Sequence, residues 1–188
     1  MSPTNKNTFN VDIKKVKKDA MKSFFSGAVT SEYPLPLGQA CELLNGALAT
    51  EIMCMLRYRQ HQVTVKGMAY PEIAAEFAEH AEEEEEHLLM IAKRIHQLGG
   101  APDFNPASVA KNTVSEFGSA STLEEMIQEN LVAERVAIDV YRKLIQWFGD
   151  GDPTTRQMLE TILQKEEEHA ADLANYMTSE KKGYEKLS

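Results

Sequence analysis

The sequence predicts an all-α protein: an antiparallel four-helix bundle with a long crossover between its second and third helices, preceded by an extra N-terminal amphipathic helix. Three observations predict it. Apolar residues recur at steps of three and four through four long segments, the helical period, and strand-like alternation is absent. Proline, glycine and capping residues divide the chain where helices of roughly 25 to 30 residues would end. The outer pairs of helices have short turns between them and the central connection is long, as in bundles with one crossover.

The elements follow in order. Residues 1–35 form a basic extension in which Phe9, Ile13, Val16, Ala20 and Phe24 share one helical face before "SGAVTSEYPLPLG" breaks it. The regularity of that face predicts packing on protein. The bundle occupies residues 36–178, and its first helix is predicted from Pro36 to about Val65. Gly67 closes the turn, and Pro71 begins the second helix, where its missing N–H costs nothing. "GGAPDFNP" ends that helix after Leu98. A polar crossing leads to "STLEE", where Ser121 stands three residues before Glu124 as a capping box for the third helix. "GDGDP" ends the third helix near Phe148; Asp152 with Pro153 caps the fourth, which runs to about Met177. Residues 179–188 read as a short polar tail.

A chain of 188 residues, 43% hydrophobic and 26% charged, suits one domain with a sizeable core. No apolar run approaches the roughly 18 to 20 residues of a membrane span, and the lysine-rich N-terminus lacks a signal peptide's apolar stretch, so no membrane partner is expected. Cys41 and Cys54 lie 13 residues apart on one predicted helix. That separation is about 20 Å, too long for a disulfide, and free thiols point to a cytoplasmic protein. The net charge of -9 is uneven: residues 1–28 carry six lysines against Asp12 and Asp19, a balance of +4, leaving -13 on the remainder. A basic arm on an acidic body suits nucleic acid or a neighbouring subunit, and charge alone favours neither.

Each bundle helix carries a glutamate in the middle of its own apolar seam. The seams read Leu48, Glu51, Met55, Tyr58; Phe77, His80, Glu84, His87, Ile91; Ile127, Asn130, Glu134, Ala137, Tyr141; and Ile162, Glu166, His169, Leu173. A run such as Glu82 to Glu86 is ordinarily a solvated face, yet Glu84 alone of the five is in register with its seam. The four seam glutamates lie 15, 13, 13 and 13 residues from the predicted helix starts. That is about 20 Å along each axis, so all four share one level. Four carboxylates at one depth repel one another and each costs several kcal/mol to bury, which cations would offset. Of the five histidines, only His87 and His169 follow a glutamate by three residues, and that spacing puts Glu and His on one face. Two divalent ions balance four carboxylates. Oxygen donors with two imidazoles suit iron or manganese, with zinc also acceptable.

The pattern Glu51…Glu84-x-x-His87…Glu134…Glu166-x-x-His169 resembles the ferritin-like di-iron carboxylate proteins, which take one Glu from each of two helices and Glu-x-x-His from each of the others. The two halves also read as a weak duplication, with Glu and Glu-x-x-His 33 and 32 residues apart. Within that superfamily, "ATEIMCMLRY" and "LQKEEEHAADL" are similar to the first- and fourth-helix motifs of bacterioferritin, over about residues 40–175. The resemblance implies two iron ions per subunit, with manganese or zinc as substitutes, bridged by Glu84 and Glu166. Glu51 with His87 would complete one site and Glu134 with His169 the other. Tyr58 would lean toward the metals in a redox or hydrogen-bonding role, or serve as a plain core aromatic. Glu85 stands where the bacterioferritin haem methionine would be, so no haem is expected. "TSEKKGYEKLS" is too short and polar for that family's fifth helix, which helps close its 24-subunit shell. The N-terminal extension is similar to those of Dps-like mini-ferritins, whose shells have 12 subunits. A homo-oligomer of 12 subunits is therefore favoured over 24, with the departure that Dps proteins hold their metals between subunits.

The function implied is a ferroxidase that stores or detoxifies iron, oxidising Fe(II) with O2 or H2O2. Alternatives on the same ligands are a di-iron monooxygenase or hydroxylase, or a manganese catalase. A third is a DNA-binding protection protein using the lysine-rich arm. A rubrerythrin-type peroxidase is disfavoured, since the chain has no CxxC pair. His80 and Asn130, each one turn from a seam glutamate, are read as partners holding ligands or as satisfied core groups. Cys54 is read as a thiol near the metals or a packed cysteine. Glu83, Glu86, Glu167 and Glu168 are read as a solvated face, with some guiding Fe(II) inward.

Overall fold

The computed structural model describes residues 11–66 and 70–185, the side chains of Tyr70 and residues 179–185 excepted. Phe9 and Gly67 lie outside the described residues. Six helices follow in order: α1 (Ile13–Lys22), α2 (Leu37–Thr64), α3 (Tyr70–Gln97), α4 (Pro106–Asn112), α5 (Leu123–Phe148) and α6 (Pro153–Glu185). No strand occurs among the described residues.

The helices α2, α3, α5 and α6 make the bundle, packed chiefly as the pairs α2 with α3 and α5 with α6. Side-chain partners fix the directions. Glu51 and Tyr58 of α2 meet Tyr141 and Glu134 of α5 in reversed order, so these helices are antiparallel. Arg94 and Glu83 of α3 likewise meet Thr155 and His169 of α6. Residues 98–122 carry the chain between the pairs and include α4, which packs on α2. The crossing was read only as a polar stretch; within it Asn105 caps α4, Oδ1 accepting from Ala107 N at 3.0 Å, with Pro106 at the first helical position.

The helix ends follow local chemistry. α3 closes with Gly99 at φ 82, Gly99 N bonding His96 O at 3.0 Å and Gly100 N bonding Ile95 O at 2.9 Å, which satisfies carbonyls the helix would strand. The capping box of α5 is Thr122 with Glu125, one residue later than the Ser121–Glu124 box expected. Both pairs have the required spacing, and Ser121 N still bonds Glu125 Oε2 at 3.0 Å. Asp152 caps α6, Oδ1 accepting from Thr155 N at 2.9 Å, while Arg94 and the Tyr33 hydroxyl bind the same carboxylate. That knot ties α3, α6 and the segment before α2 together. The last helix continues to Glu185, eight residues beyond the expected end at Met177.

The N-terminal amphipathic helix stands apart from the bundle helices. None of α1 is buried, and it packs on no other helix of this chain. Ile13, Val16, Phe24 and Phe25 stay exposed, while Val29, Tyr33 and Leu35 reach the main core.

The bundle core comes in two pieces. Leu44, Leu48, Ile91, Ile95, Leu144, Phe148, Leu159 and Ile162 fill one end. Val65, Ile73, Phe77, Ile127 and Leu173 fill the other. Between them lies a buried polar layer. No described helix is long and apolar enough to cross a membrane.

Candidate metal centre

That layer is where the seam glutamates meet. Glu51, Glu84, Glu134, Glu166, His87 and His169 are all buried. Of the acidic run, Glu84 alone is buried; Glu82, Glu85 and Glu86 are exposed, and Glu83 is half-buried. Donor atoms gather in two overlapping groups: Glu51, Glu84, His87 and Glu166; and Glu84, Glu134, Glu166 and His169. Glu84 and Glu166 belong to both groups. His87 Nδ1 lies 3.0 Å from Glu166 Oε1, 3.2 Å from Glu51 Oε2 and 3.8 Å from Glu84 Oε2. His169 Nδ1 lies 3.6 Å from Glu84 Oε1 and 3.9 Å from Glu134 Oε2.

These separations suit metal ligation. Donors about 2.1 Å from a shared ion stand about 3.0 Å apart at a right angle and about 4.2 Å apart when opposed. A second observation agrees. Both oxygens of Glu84 and of Glu166, Glu134 Oε2 and His169 Nδ1 are buried with no hydrogen-bond partner. Burying that many polar atoms unsatisfied is costly, and ions at the two positions would satisfy them.

Protons compensate part of the charge in the ion-free chain. Burial, then repulsion from Glu84, pushes Glu51 up to about 8. The same causes raise Glu134, and raise Glu166 well above the ordinary carboxylate range. Burial opposes ionised Glu84 as well, but contacts from His169 and His87 outweigh it and hold that carboxylate low. Despite burial, Glu51 and Glu84 raise His87 to about 10, and Glu84 with Glu134 raises His169 to about 9. Incoming cations therefore displace protons.

A ferritin-like domain profile matches residues 41–182, most of the chain. This protein belongs to the ferritin-like family. It is 32% identical over 142 residues to a nutrient stress-induced DNA-binding protein of a Synechococcus strain, covering 74% of this chain and 81% of that one. It is 26% identical over 132 residues to the bacterioferritin of Desulfovibrio desulfuricans, with 68% of each chain covered. The fold is similar to the bacterioferritin-related protein of Bacteroides fragilis, described as a dodecameric thioferritin, with a TM-score of 0.78 and 30% identity over 81% of this chain and 92% of that one.

Around the centre of this ferritin-like protein, two tyrosines cross between helices. The Tyr58 hydroxyl donates to Glu134 Oε1, and the Tyr141 hydroxyl donates to Glu51 Oε1 at 2.5 Å. Tyr58 thus serves the glutamate of α5, across from its own helix. Tyr141 was unassigned in the sequence, although each tyrosine follows its own-helix glutamate by seven residues, a duplication that would have found it.

The structure chooses between the readings left open for the other seam residues: Asn130 is a satisfied core group and Cys54 a packed cysteine. Asn130 holds no ligand: Oδ1 accepts from Arg57 Nε at 2.8 Å, and Nδ2 meets His61 Nδ1 at 3.0 Å. Cys54 faces Ser115 Oγ at 3.5 Å and Arg57. Burial raises its thiol well above the usual range, which disfavours the reactive thiolate. Glu83 is no solvated acid, since Oε2 meets His169 Nε2 at 2.6 Å and Oε1 meets Lys165 Nζ at 2.9 Å. His80 hydrogen-bonds no ligand; its ring stacks on His169 with centroids 4.1 Å apart. Arg57 escaped notice in the sequence. It is 1% exposed, and its guanidinium bonds Ser115 Oγ at 2.6 Å and Glu116 O at 2.7 Å. An arginine one residue from Tyr58 on a buried helix face gives no composition signal, because most of its partners come from the crossover and from α5.

Proposed function

We propose that this protein is a ferroxidase of the iron-storage or iron-detoxification kind, acting on Fe(II) at an intrasubunit dinuclear centre. The observation that carries the reading is the set of buried donor atoms of Glu84, Glu134, Glu166 and His169 that face one another without hydrogen bonds. Glu51 with His87, and Glu134 with His169, would each hold one Fe(II), and Glu84 with Glu166 would bridge the pair. Two Fe(II) give up one electron each, and O2 with two protons becomes H2O2, or H2O2 with two protons becomes two waters. Manganese or zinc would fit the same donors. Tyr58 and Tyr141 orient Glu134 and Glu51 and fix which oxygen of each is left for the metal. The apolar layers on both sides keep bulk water from the centre.

A cytoplasmic homo-oligomeric shell, of 12 subunits rather than 24, would receive the Fe(III). The dodecameric assembly of the related Bacteroides fragilis protein supports that size. Light scattering with iron loading tests the reading. A hollow assembly that takes up many irons per subunit is expected. A monomer or dimer that saturates at two metals overturns storage in favour of a monooxygenase or catalase.

A second reading, DNA binding, is favoured by α1. Its Lys14, Lys17 and Lys18 are exposed on a helix that no other helix of this chain covers, and the Synechococcus relative is named DNA-binding. DNA retardation that weakens steeply with salt and disappears on deleting residues 1–28 is the expected signature.

A further inference from the structure

Outside the centre, a second group of metal-ligating side chains lies between α3 and α6. Glu76, His80 and Asp172 bring one donor atom each within 4.8 Å of one another. They line a pocket of about 460 Å³ that His169 also lines, together with Glu79, Glu83 and Glu168. Lys165 is the pocket's one lysine or arginine, and it is already held by Glu83 and Glu168, 2.9 Å from each. Glu76 Oε2 accepts from the Tyr176 hydroxyl at 3.4 Å, and no lysine or arginine of the described residues pairs with Glu76 or Asp172.

Acidic surfaces are common, and this cluster would mean little without His80. That imidazole is 3% exposed, and Nδ1 has no hydrogen-bond partner among the described residues. Nε2 lies 3.4 Å from Glu76 Oε1, the separation of two donors on one ion about 2.1 Å from each. A buried imidazole with one nitrogen unpartnered and the other turned to a pocket carboxylate, with a second carboxylate in reach, is placed to ligate an ion there. Asp172 is exposed, so its carboxylate is free to swing onto an ion already held by Glu76 and His80.

We propose that Glu76, His80 and Asp172 form a third divalent-cation site at the acidic pocket, from which ions pass to the dinuclear centre. The ring of His80 lies directly against that of His169, whose Nδ1 faces the centre while Nε2 meets Glu83 at 2.6 Å. The third site and the centre are therefore separated by one pair of stacked imidazoles. Mixed oxygen and nitrogen donors suit Fe(II), Mn(II) or Zn(II) over magnesium or calcium. Delivery rests on the centre proposed above; binding at the third site does not.

Zn(II) titration of the ion-free assembly in excess magnesium tests both parts, read as zinc retained per chain after gel filtration. Wild type is expected to hold three ions, and Glu76→Gln/Asp172→Asn two, with unchanged assembly size. Glu84→Ala is expected to keep the outer ion while losing the centre pair, which separates failure of one site from failure of the other. At limiting Fe(II) the double variant should oxidise iron about tenfold more slowly, and at saturating Fe(II) at the wild-type rate. Two zinc ions on wild type, or three retained by the double variant, overturn the site. A normal rate at limiting Fe(II) in a variant that has lost its third ion overturns delivery.

Discussion

In the first half of the bundle, His87 has its polar contacts with carboxylates of the centre alone: Glu51, Glu84 and Glu166. In the second half, His169 has the same place in the same motif but turns two ways. Nδ1 faces the centre, and Nε2 is held by Glu83, which Lys165 holds in turn. His80 stacks on that ring, and the acidic pocket opens beside it. The carboxylates show the opposite pattern, since Tyr141 serves Glu51 just as Tyr58 serves Glu134. The halves are thus matched in the donors that could hold an ion and unmatched in what surrounds the imidazole. A repeated motif sets the facing donors, and neighbours that are not repeated decide which of the two imidazoles borders the acidic pocket.

Removing a shared ligand is the harshest way to break the comparison, because Glu84 and Glu166 belong to both halves. Glu84→Ala or Glu166→Ala should slow initial Fe(II) oxidation by more than about a hundredfold, beyond the loss usual for supporting residues, with helicity by circular dichroism unchanged. Wild-type rates in both variants would remove the centre from the chemistry altogether.

The tyrosines test the symmetry more finely. Tyr58→Phe and Tyr141→Phe should each cost about tenfold in the affinity of one ion, leaving the other ion bound. Stepwise metal titrations that show both ions weakened equally in either variant would contradict separate halves.

Proton bookkeeping gives a third test. His87 and His169 are raised to about 10 and about 9, above their ordinary value of 6.5. Folded values above unfolded ones stabilise fully below the unfolded value and lose that stabilisation as pH rises through the folded ones. Glu51, raised from 4.5 to about 8, has the same sign over its own window. The melting temperature of ion-free protein should therefore fall between about pH 6.5 and about pH 9, and zinc should flatten the profile by displacing the protons. An ion-free profile that rises over this range would be incompatible with imidazolium in the site.

The smallest expected effect sharpens the second half alone. Lys165 is partly exposed, and a pair of that kind contributes at most about 1 kcal/mol. Lys165→Met should loosen Glu83 from His169 and change iron oxidation no more than about threefold to fivefold, which a salt-dependent rate comparison would register.

Much of this was legible along the chain. The helical period, the prolines and the Glu-x-x-His pairs place Glu51, Glu84, His87, Glu134, Glu166 and His169 on four inward faces at one depth. Less was legible where partners come from elsewhere. Asn130 has the spacing of a ligand's support, yet Arg57 and His61 claim it from α2. Glu83 looks like one more solvated acid in a run of five until α6 brings His169 and Lys165 to it. The face of α1 has the pattern of a packed helix, and no other helix of the described residues packs on it.

By itself the sequence determined the helices and which side of each turns inward, because periodicity and capping act over a few residues of one chain. It also determined six buried donor residues at one level, since rise per residue converts spacing into depth. Only the tertiary structure decided the partners: Tyr58 with Glu134, Tyr141 with Glu51, Glu83 with His169, and His80 beside Glu76. Those pairs join different helices, and which atoms meet there depends on how neighbouring helices are set against one another in rotation and register, which no single helix's period specifies.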